Sequence, residues 1–75
     1  MADIIVVDDD DKFSALVAEY LISLGHKARL ARDLDEFRLQ LSGGVPDLLI
    51  TDIQYRGGGP AVVRLLPADT PVIVV

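Results

Sequence analysis

Three aspartates follow directly on two short apolar segments. The segment Ile4–Val7 runs into Asp8 and Asp9, and a second segment, Leu48–Thr51, runs into Asp52. Open α/β sheets carry their ligand sites outside the carboxyl ends of their strands. If the two segments are neighbouring parallel strands, Asp8, Asp9 and Asp52 share one small pocket.

Clustered carboxylates need a positive partner. Two unit charges about 4 Å apart repel by roughly 1 kcal/mol in water and roughly 4 kcal/mol at an effective dielectric near 20. The chain has no cysteine and one histidine, so the ligand atoms are oxygens, which suit Mg²⁺, Ca²⁺ or Mn²⁺. Mg²⁺ usually keeps several waters and leaves room for phosphate oxygens. The pattern predicts a metal site for phosphoryl chemistry, with Asp52 as the carboxylate nucleophile.

The amino-terminal half predicts a strand and then an amphipathic helix. Ile4–Val7 is a continuous β-branched run, typical of a strand buried on both faces. Asp10 or Asp11 suits the helix N-cap, and Gly25 suits the position just after the helix. The apolar stripe of this helix has a 3.6-residue period and predicts a core-facing side that includes Tyr20. Its members are Phe13, Leu16, Val17, Tyr20, Leu21 and Leu24.

The rest of the chain repeats the alternation of strands and helices. The alternating Lys27–Ala31 predicts an edge strand, and Asp33 with Glu36 resembles a capping box that opens a second helix. Further predicted elements are a strand at Leu48–Thr51, a short helix that begins at Pro60 and is ended by Pro67, and a strand at Val72–Val75. The order β-α-β-α-β-α-β predicts a parallel α/β sheet with strand order 2-1-3-4.

Size and composition restrict the possible functions. The chain has 75 residues, which allows one domain, and 51% of them are apolar. Its net charge of −5 argues against direct binding to nucleic acid. Its apolar runs fall far short of the roughly 20 residues that span a bilayer, so we expect no membrane partner. The lack of cysteine is compatible with the cytoplasm, where we expect the chain to act.

The segments 4–10 and 46–53 resemble the receiver domain of two-component response regulators. The similarity extends in register over residues 1–75, which correspond to the amino-terminal portion of a receiver. The resemblance implies a flavodoxin-like (CheY-like) fold, Mg²⁺, and phosphoryl transfer from a sensor histidine kinase or phosphotransfer protein. Asp52 matches the phosphoacceptor and Asp9 a direct metal ligand. Asp8 matches a residue that holds the metal through water, and Gln54 a backbone carbonyl ligand. Such a domain catalyses only its own phosphorylation and dephosphorylation, so we expect no separate enzyme activity.

The sequence also departs from the receiver pattern. Arg56 stands where receivers usually have proline, which makes the glycine-rich loop looser. The sequence also stops at the fourth predicted strand, without the fourth helix, fifth strand and fifth helix of a receiver, or its Thr/Ser and Lys. We therefore expect strands one, three and four to be partly bare on one face. The chain is then a piece of a longer protein, forms a homo-oligomer, or binds a completing partner through that face.

Other functions remain open from the residues alone. A receiver-like module that binds proteins and is never phosphorylated is the main alternative. A phosphatase with a carboxylate nucleophile expects a second aspartate two residues after Asp52, where Gln54 stands instead. His26 is expected to be a turn residue, and Tyr55 either borders the phosphoryl site or is an exposed loop residue.

Overall fold

Strands and helices alternate along the whole chain. The computed structural model describes residues 1–52 and 59–75, with side chains described for 1–52 and 62–75. In chain order the elements are β1 Asp3–Val7, α1 Asp11–Ser23, β2 Lys27–Ala31, α2 Leu34–Leu41, β3 Leu48–Thr51, α3 Gly59–Arg64 and β4 Val72–Val74. This is the predicted order, and α3 is only 6 residues long.

The strands form a parallel sheet in the order β2-β1-β3-β4, which confirms the predicted fold class. Val7, the last residue of β1, lies opposite Ala31 of β2 and Thr51 of β3. Because these ends are level, the residues that follow them leave the sheet at the same edge. This register positions the functional site.

The main core lies on the face of the sheet that carries α2 and α3. Side chains point to alternate faces along a strand, so Ile5 and Val7 belong to this core while Ile4 and Val6 point to the other face. Phe37 of α2 is completely buried in the core cluster. The buried members of the cluster are Ile5, Val7, Ala31, Phe37, Leu49, Val62 and Leu66.

Helix α1 begins and ends at the residues that the sequence predicts. The Asp10 side chain accepts hydrogen bonds from the backbone N–H groups of Lys12 and Phe13 at 3.0 and 3.1 Å. At the other end, Gly25 has a φ of +89° and its N–H donates to Ile22 O, while His26 N–H donates to Leu21 O. These two bonds form a Schellman motif, which satisfies the last carbonyls of the helix.

The predicted core stripe of α1 is wrong for most of its members. Tyr20 and Leu16 are each 65% exposed, and Leu24 is 56% exposed. The buried residues of α1 are Ser14 and Ala18, one turn apart on the side that packs against β1 and β2. These small side chains let the helix lie close to the two strands, while Leu16, Tyr20 and Leu24 of the apolar stripe stay exposed.

On the face of the sheet that α1 covers, the described apolar side chains become exposed only toward β4. Ile4 and Val6 are buried, so the expectation of bare surface on β1 is wrong. On β3, Ile50 is half-buried, and its neighbour Ile73 on β4 is 48% exposed. No helix in the described part of the chain is long and apolar enough to cross a membrane.

Candidate metal centre

Three predicted site residues come together at the carboxyl edge of the sheet. Asp8 and Asp9 follow β1, and Asp52 follows β3. Each offers one carboxylate oxygen, and these three oxygens lie within 4.8 Å of one another. The cause is the register of β1 with β3, because the backbone N–H of Asp52 donates to Val7 O at 3.1 Å. The convergence predicted from the sequence is therefore present in the fold.

The three carboxylates differ in exposure. Asp8 is buried, Asp52 is half-buried and Asp9 is exposed. Asp8 is fixed on both sides, since its N–H donates to Ala31 O at 3.1 Å and its Oδ1 accepts from Asp10 N–H at 2.9 Å. Asp8 is thus a rigid inner wall of the site, and Asp9 lies on the side open to solvent.

Burial raises the pKa of the Asp8 carboxyl above its ordinary value. The hydrogen bond from Asp10 N–H lowers the pKa, and the negative charges of Asp52, Asp9 and Asp10 raise it further. The net effect is upward, which means that the folded chain disfavours the ionised form of Asp8. A bound cation would reverse this effect by stabilising the carboxylate.

The donor set fits a hard divalent cation. All three ligand atoms are carboxylate oxygens, the type that Mg²⁺, Ca²⁺ and Mn²⁺ prefer. With metal–oxygen bonds of about 2.1 Å, opposite ligands of an octahedral Mg²⁺ are about 4.2 Å apart. The observed limit of 4.8 Å is close to that value. Asp8, Asp9 and Asp52 could therefore hold such an ion.

Other predicted residues have structural roles or fall outside the described chain. Asp10 caps α1, as predicted for one of the two aspartates after Asp9. His26 is a turn residue whose Nδ1 accepts from Ala2 N–H at 3.0 Å. Gln54, Tyr55 and Arg56 lie outside the described residues, so their assignments stay predictions.

The sequence interpretation missed a hollow beside the aspartates. Its volume is about 500 Å³, and the residues that line it are Asp9, Arg32, Asp33 and Glu36. Asp33 caps α2 by accepting from Glu36 N–H at 2.8 Å, and Glu36 Oε1 reaches back to Arg32 N–H at 2.9 Å. One signal in the sequence could have indicated this residue set: Arg32 follows the predicted end of the second strand, which places it at the edge of the sheet that carries the site.

Comparison with known proteins identifies homologues of this chain. No protein-family model matches the chain. The nitrogen assimilation regulatory protein NtrX of Azorhizobium caulinodans is 40% identical over 55 residues, which cover 73% of this chain and 12% of that protein. A crystal structure of NtrX from Brucella abortus in complex with ADP superposes with a TM-score of 0.90 at 33% identity, over 97% of this chain. The chain is homologous to NtrX response regulators and has a receiver-domain fold.

A further response regulator supports the same assignment. The response regulator PhyR from Brucella abortus superposes on 99% of this receiver chain with a TM-score of 0.68 and 30% identity. The chain spans 33% of that PhyR chain and 18% of the NtrX crystal chain. The chain therefore spans a minor part of these two relatives.

Proposed function

We propose that this receiver chain accepts a phosphoryl group on Asp52 in a Mg²⁺-dependent reaction. The donor is a sensor histidine kinase or a phosphotransfer protein, and the chain works in the cytoplasm as one part of a two-component phosphorelay. It acts on no other substrate and catalyses only its own phosphorylation and dephosphorylation. The observation that carries the proposal is the convergence of Asp8, Asp9 and Asp52 within 4.8 Å.

The proposed transfer is a simple displacement at phosphorus. A carboxylate oxygen of Asp52 attacks, the new O–P bond forms, and the P–N bond to the donor histidine breaks, so that its electron pair stays on the imidazole nitrogen. A bound Mg²⁺ would neutralise the charge that collects on the phosphoryl oxygens. Asp9, Asp52 and the backbone carbonyl of Gln54 would hold the ion directly, and Asp8 would act through water.

The rigid position of Asp8 supports this division of roles. Its carboxylate is buried and bonded to Asp10 N–H, so it cannot turn outward to solvent. Asp9 is exposed and can exchange between water and an ion. The half-buried Asp52 lies at the end of β3, beside both aspartates.

Phosphorylation with a small donor tests the proposal. The chain is incubated with acetyl phosphate and Mg²⁺, and its intact mass is measured. The expected result is the gain of one phosphoryl group in the unsubstituted chain and in Asp69→Asn, an exposed loop control, but not in Asp52→Asn. An unmodified wild-type chain, or equal labelling of Asp52→Asn, contradicts the proposal.

A second candidate is a protein-binding module that is not phosphorylated. The exposed apolar side chains of α1 and β4 favour it, because large exposed apolar patches mark interaction surfaces. The partner of this surface is either a second copy or a completing protein. A Mg²⁺ titration without spectral change, together with no phosphorylation, would favour this function over the first.

A further inference from the structure

The hollow adjoins the candidate metal centre at Asp9. Asp9 belongs to both, since it lines the hollow and offers an oxygen to the acidic cluster. A space of about 500 Å³ lies in the range of sites for small molecules, about 300–1,000 Å³. A small molecule that occupies the hollow therefore lies beside Asp9, one of the three aspartates of the candidate metal centre.

Arg32 places a positive charge at this position. It follows Ala31, which pairs with Val7 in the sheet, so Arg32 leaves β2 at the level where Asp8 leaves β1. Its Nε lies 3.1 Å from Oδ1 of Asp11, and its side chain is 60% exposed. A guanidinium has five N–H donors, and the contact with Asp11 occupies its Nε edge.

The other arginine in this part of the chain, Arg29, is committed elsewhere. Arg29 pairs with Asp3, the first residue of β1, at the opposite edge of the sheet. The acids around Arg32 are also engaged, because Asp33 caps α2 and Glu36 accepts from the Arg32 N–H. Among the described residues that line the hollow, Arg32 is thus the basic side chain that can meet an incoming anion.

Charge explains why an anion needs such a residue here. Three carboxylates and one divalent cation leave the metal centre with a net negative charge, which repels an approaching phosphate ester or anhydride. A guanidinium that lines the hollow reduces this repulsion, and its planar fork of N–H donors matches two phosphate oxygens.

We propose that Arg32 forms an anion subsite in this hollow, which holds the phosphate oxygens of a small phosphodonor beside the three aspartates before transfer. The subsite rests on the proposed function for its role in phosphoryl transfer, but not for its affinity for phosphate. Arg32 acts on binding of the donor, and the chemical step belongs to Asp52.

Two measurements on the full chain test the subsite. The first is the initial rate of phosphorylation as the acetyl phosphate concentration rises, at saturating Mg²⁺. We expect Arg32→Gln to raise the half-saturating concentration about fivefold or more, with a maximal rate within about twofold of the unsubstituted chain. Arg32→Lys keeps the charge but loses the planar fork of N–H donors, so its half-saturating concentration should be intermediate. Arg38→Gln, an exposed control on α2, should change neither value.

The second measurement is the affinity for inorganic phosphate in the presence of Mg²⁺, followed by NMR of the protein. Arg32→Gln should weaken it by about fivefold or more. If both measurements are the same in Arg32→Gln and in the unsubstituted chain, the subsite is wrong while the proposed function stands. If phosphate binds through Arg32 but Asp52 is not phosphorylated, the subsite stands and the proposed function is wrong. If phosphate does not bind at all, the subsite is wrong.

Discussion

Arg29 and Asp3 form a bidentate ion pair at the edge of the sheet where the strands begin. Nε and Nη2 of Arg29 donate to Oδ1 and Oδ2 of Asp3 at 3.0 and 3.1 Å. Nη1 donates to Gln40 O at 2.6 Å, and Nη2 also donates to Gly44 O at 3.0 Å. The Arg29 side chain is only 11% exposed. One arginine therefore ties β1 and β2 to the end of α2, far from the candidate metal centre.

Removal of this arginine should destabilise the fold. Arg29→Met keeps much of the side-chain volume but leaves Asp3 and two carbonyls without their donor, which costs about 2–4 kcal/mol. The free energy of unfolding, measured by circular dichroism in urea, checks this. Arg38→Met, an exposed change on α2, is the control and should cost less than about 0.5 kcal/mol. Equal losses in the two variants would show that the Arg29 bonds contribute little.

Mg²⁺ should stabilise the folded chain. An ion that binds only the folded state adds about 2.7 kcal/mol when its concentration is 100 times its dissociation constant. We expect the unfolding midpoint to rise with Mg²⁺ and to fall back after chelation. Asp9→Asn should abolish the rise because it removes one ligand, whereas Asp35→Asn, an exposed acid on α2, should retain it. A rise of the same size in Asp9→Asn would place the ion elsewhere.

Asp8 should lower stability at neutral pH in the absence of metal. Its pKa is higher in the folded chain than in the unfolded chain because of burial. The folded state therefore binds the proton more tightly, and stability falls as pH rises from the ordinary carboxyl pKa through the raised one. Asp8→Asn should remove this dependence and be more stable at pH 7, because a neutral amide avoids the cost of burying a charge beside Asp52 and Asp9.

Urea unfolding between pH 3.5 and 7, without divalent ions, checks the Asp8 prediction. Asp69→Asn, in an exposed loop, is the matched control and should retain the pH dependence of the unsubstituted chain. An Asp8→Asn variant that is less stable at pH 7 without metal would contradict the predicted sign. The same variant should also gain less stability from Mg²⁺, since it lacks one of the three carboxylates.

Gly25 should be hard to replace. Its φ of +89° lies in the region that side chains disfavour, although a Cβ there would meet nothing within 4 Å. Gly25→Ala should therefore cost about 1 kcal/mol through backbone strain alone. Urea unfolding measures the loss, and Ala15→Gly, on the exposed side of α1, gives the cost of a glycine in the helix for comparison. An unchanged stability in Gly25→Ala would contradict the Schellman geometry.

The exposed stripe of α1 should drive association. Leu16 and Tyr20 are each 65% exposed, and association would remove their apolar surface from water at about 25 cal/mol per Å². We expect the chain to sediment as more than a monomer, and Leu16→Gln with Tyr20→Gln to shift it toward the monomer. Ala15→Gln, on another side of α1, is the control. A cooperatively folded wild-type monomer would contradict the prediction that the α1 stripe drives association.

Local patterns in the sequence determined the elements and the identities of the site residues. Asp10, Asp33 and Gly25 mark helix ends through hydrogen bonds within a few residues, so their roles could be predicted from neighbours in the chain. The convergence of Asp8 with Asp52 could also be predicted, because parallel strands in the order 2-1-3-4 bring their carboxyl ends together.

The tertiary structure alone decided which side of α1 is buried and where the basic side chains lie. A 3.6-residue period shows that α1 has an apolar side, but burial depends on what packs there, and the described chain packs Ser14 and Ala18 against the sheet while Tyr20 stays exposed. Arg29 and Arg32 are close in sequence, yet they lie toward opposite edges of the sheet. Arg29 pairs with Asp3 at the start of β1, whereas Arg32 follows β2 and contacts Asp11 at the start of α1. Such long-range pairings depend on strand register, which no single segment encodes.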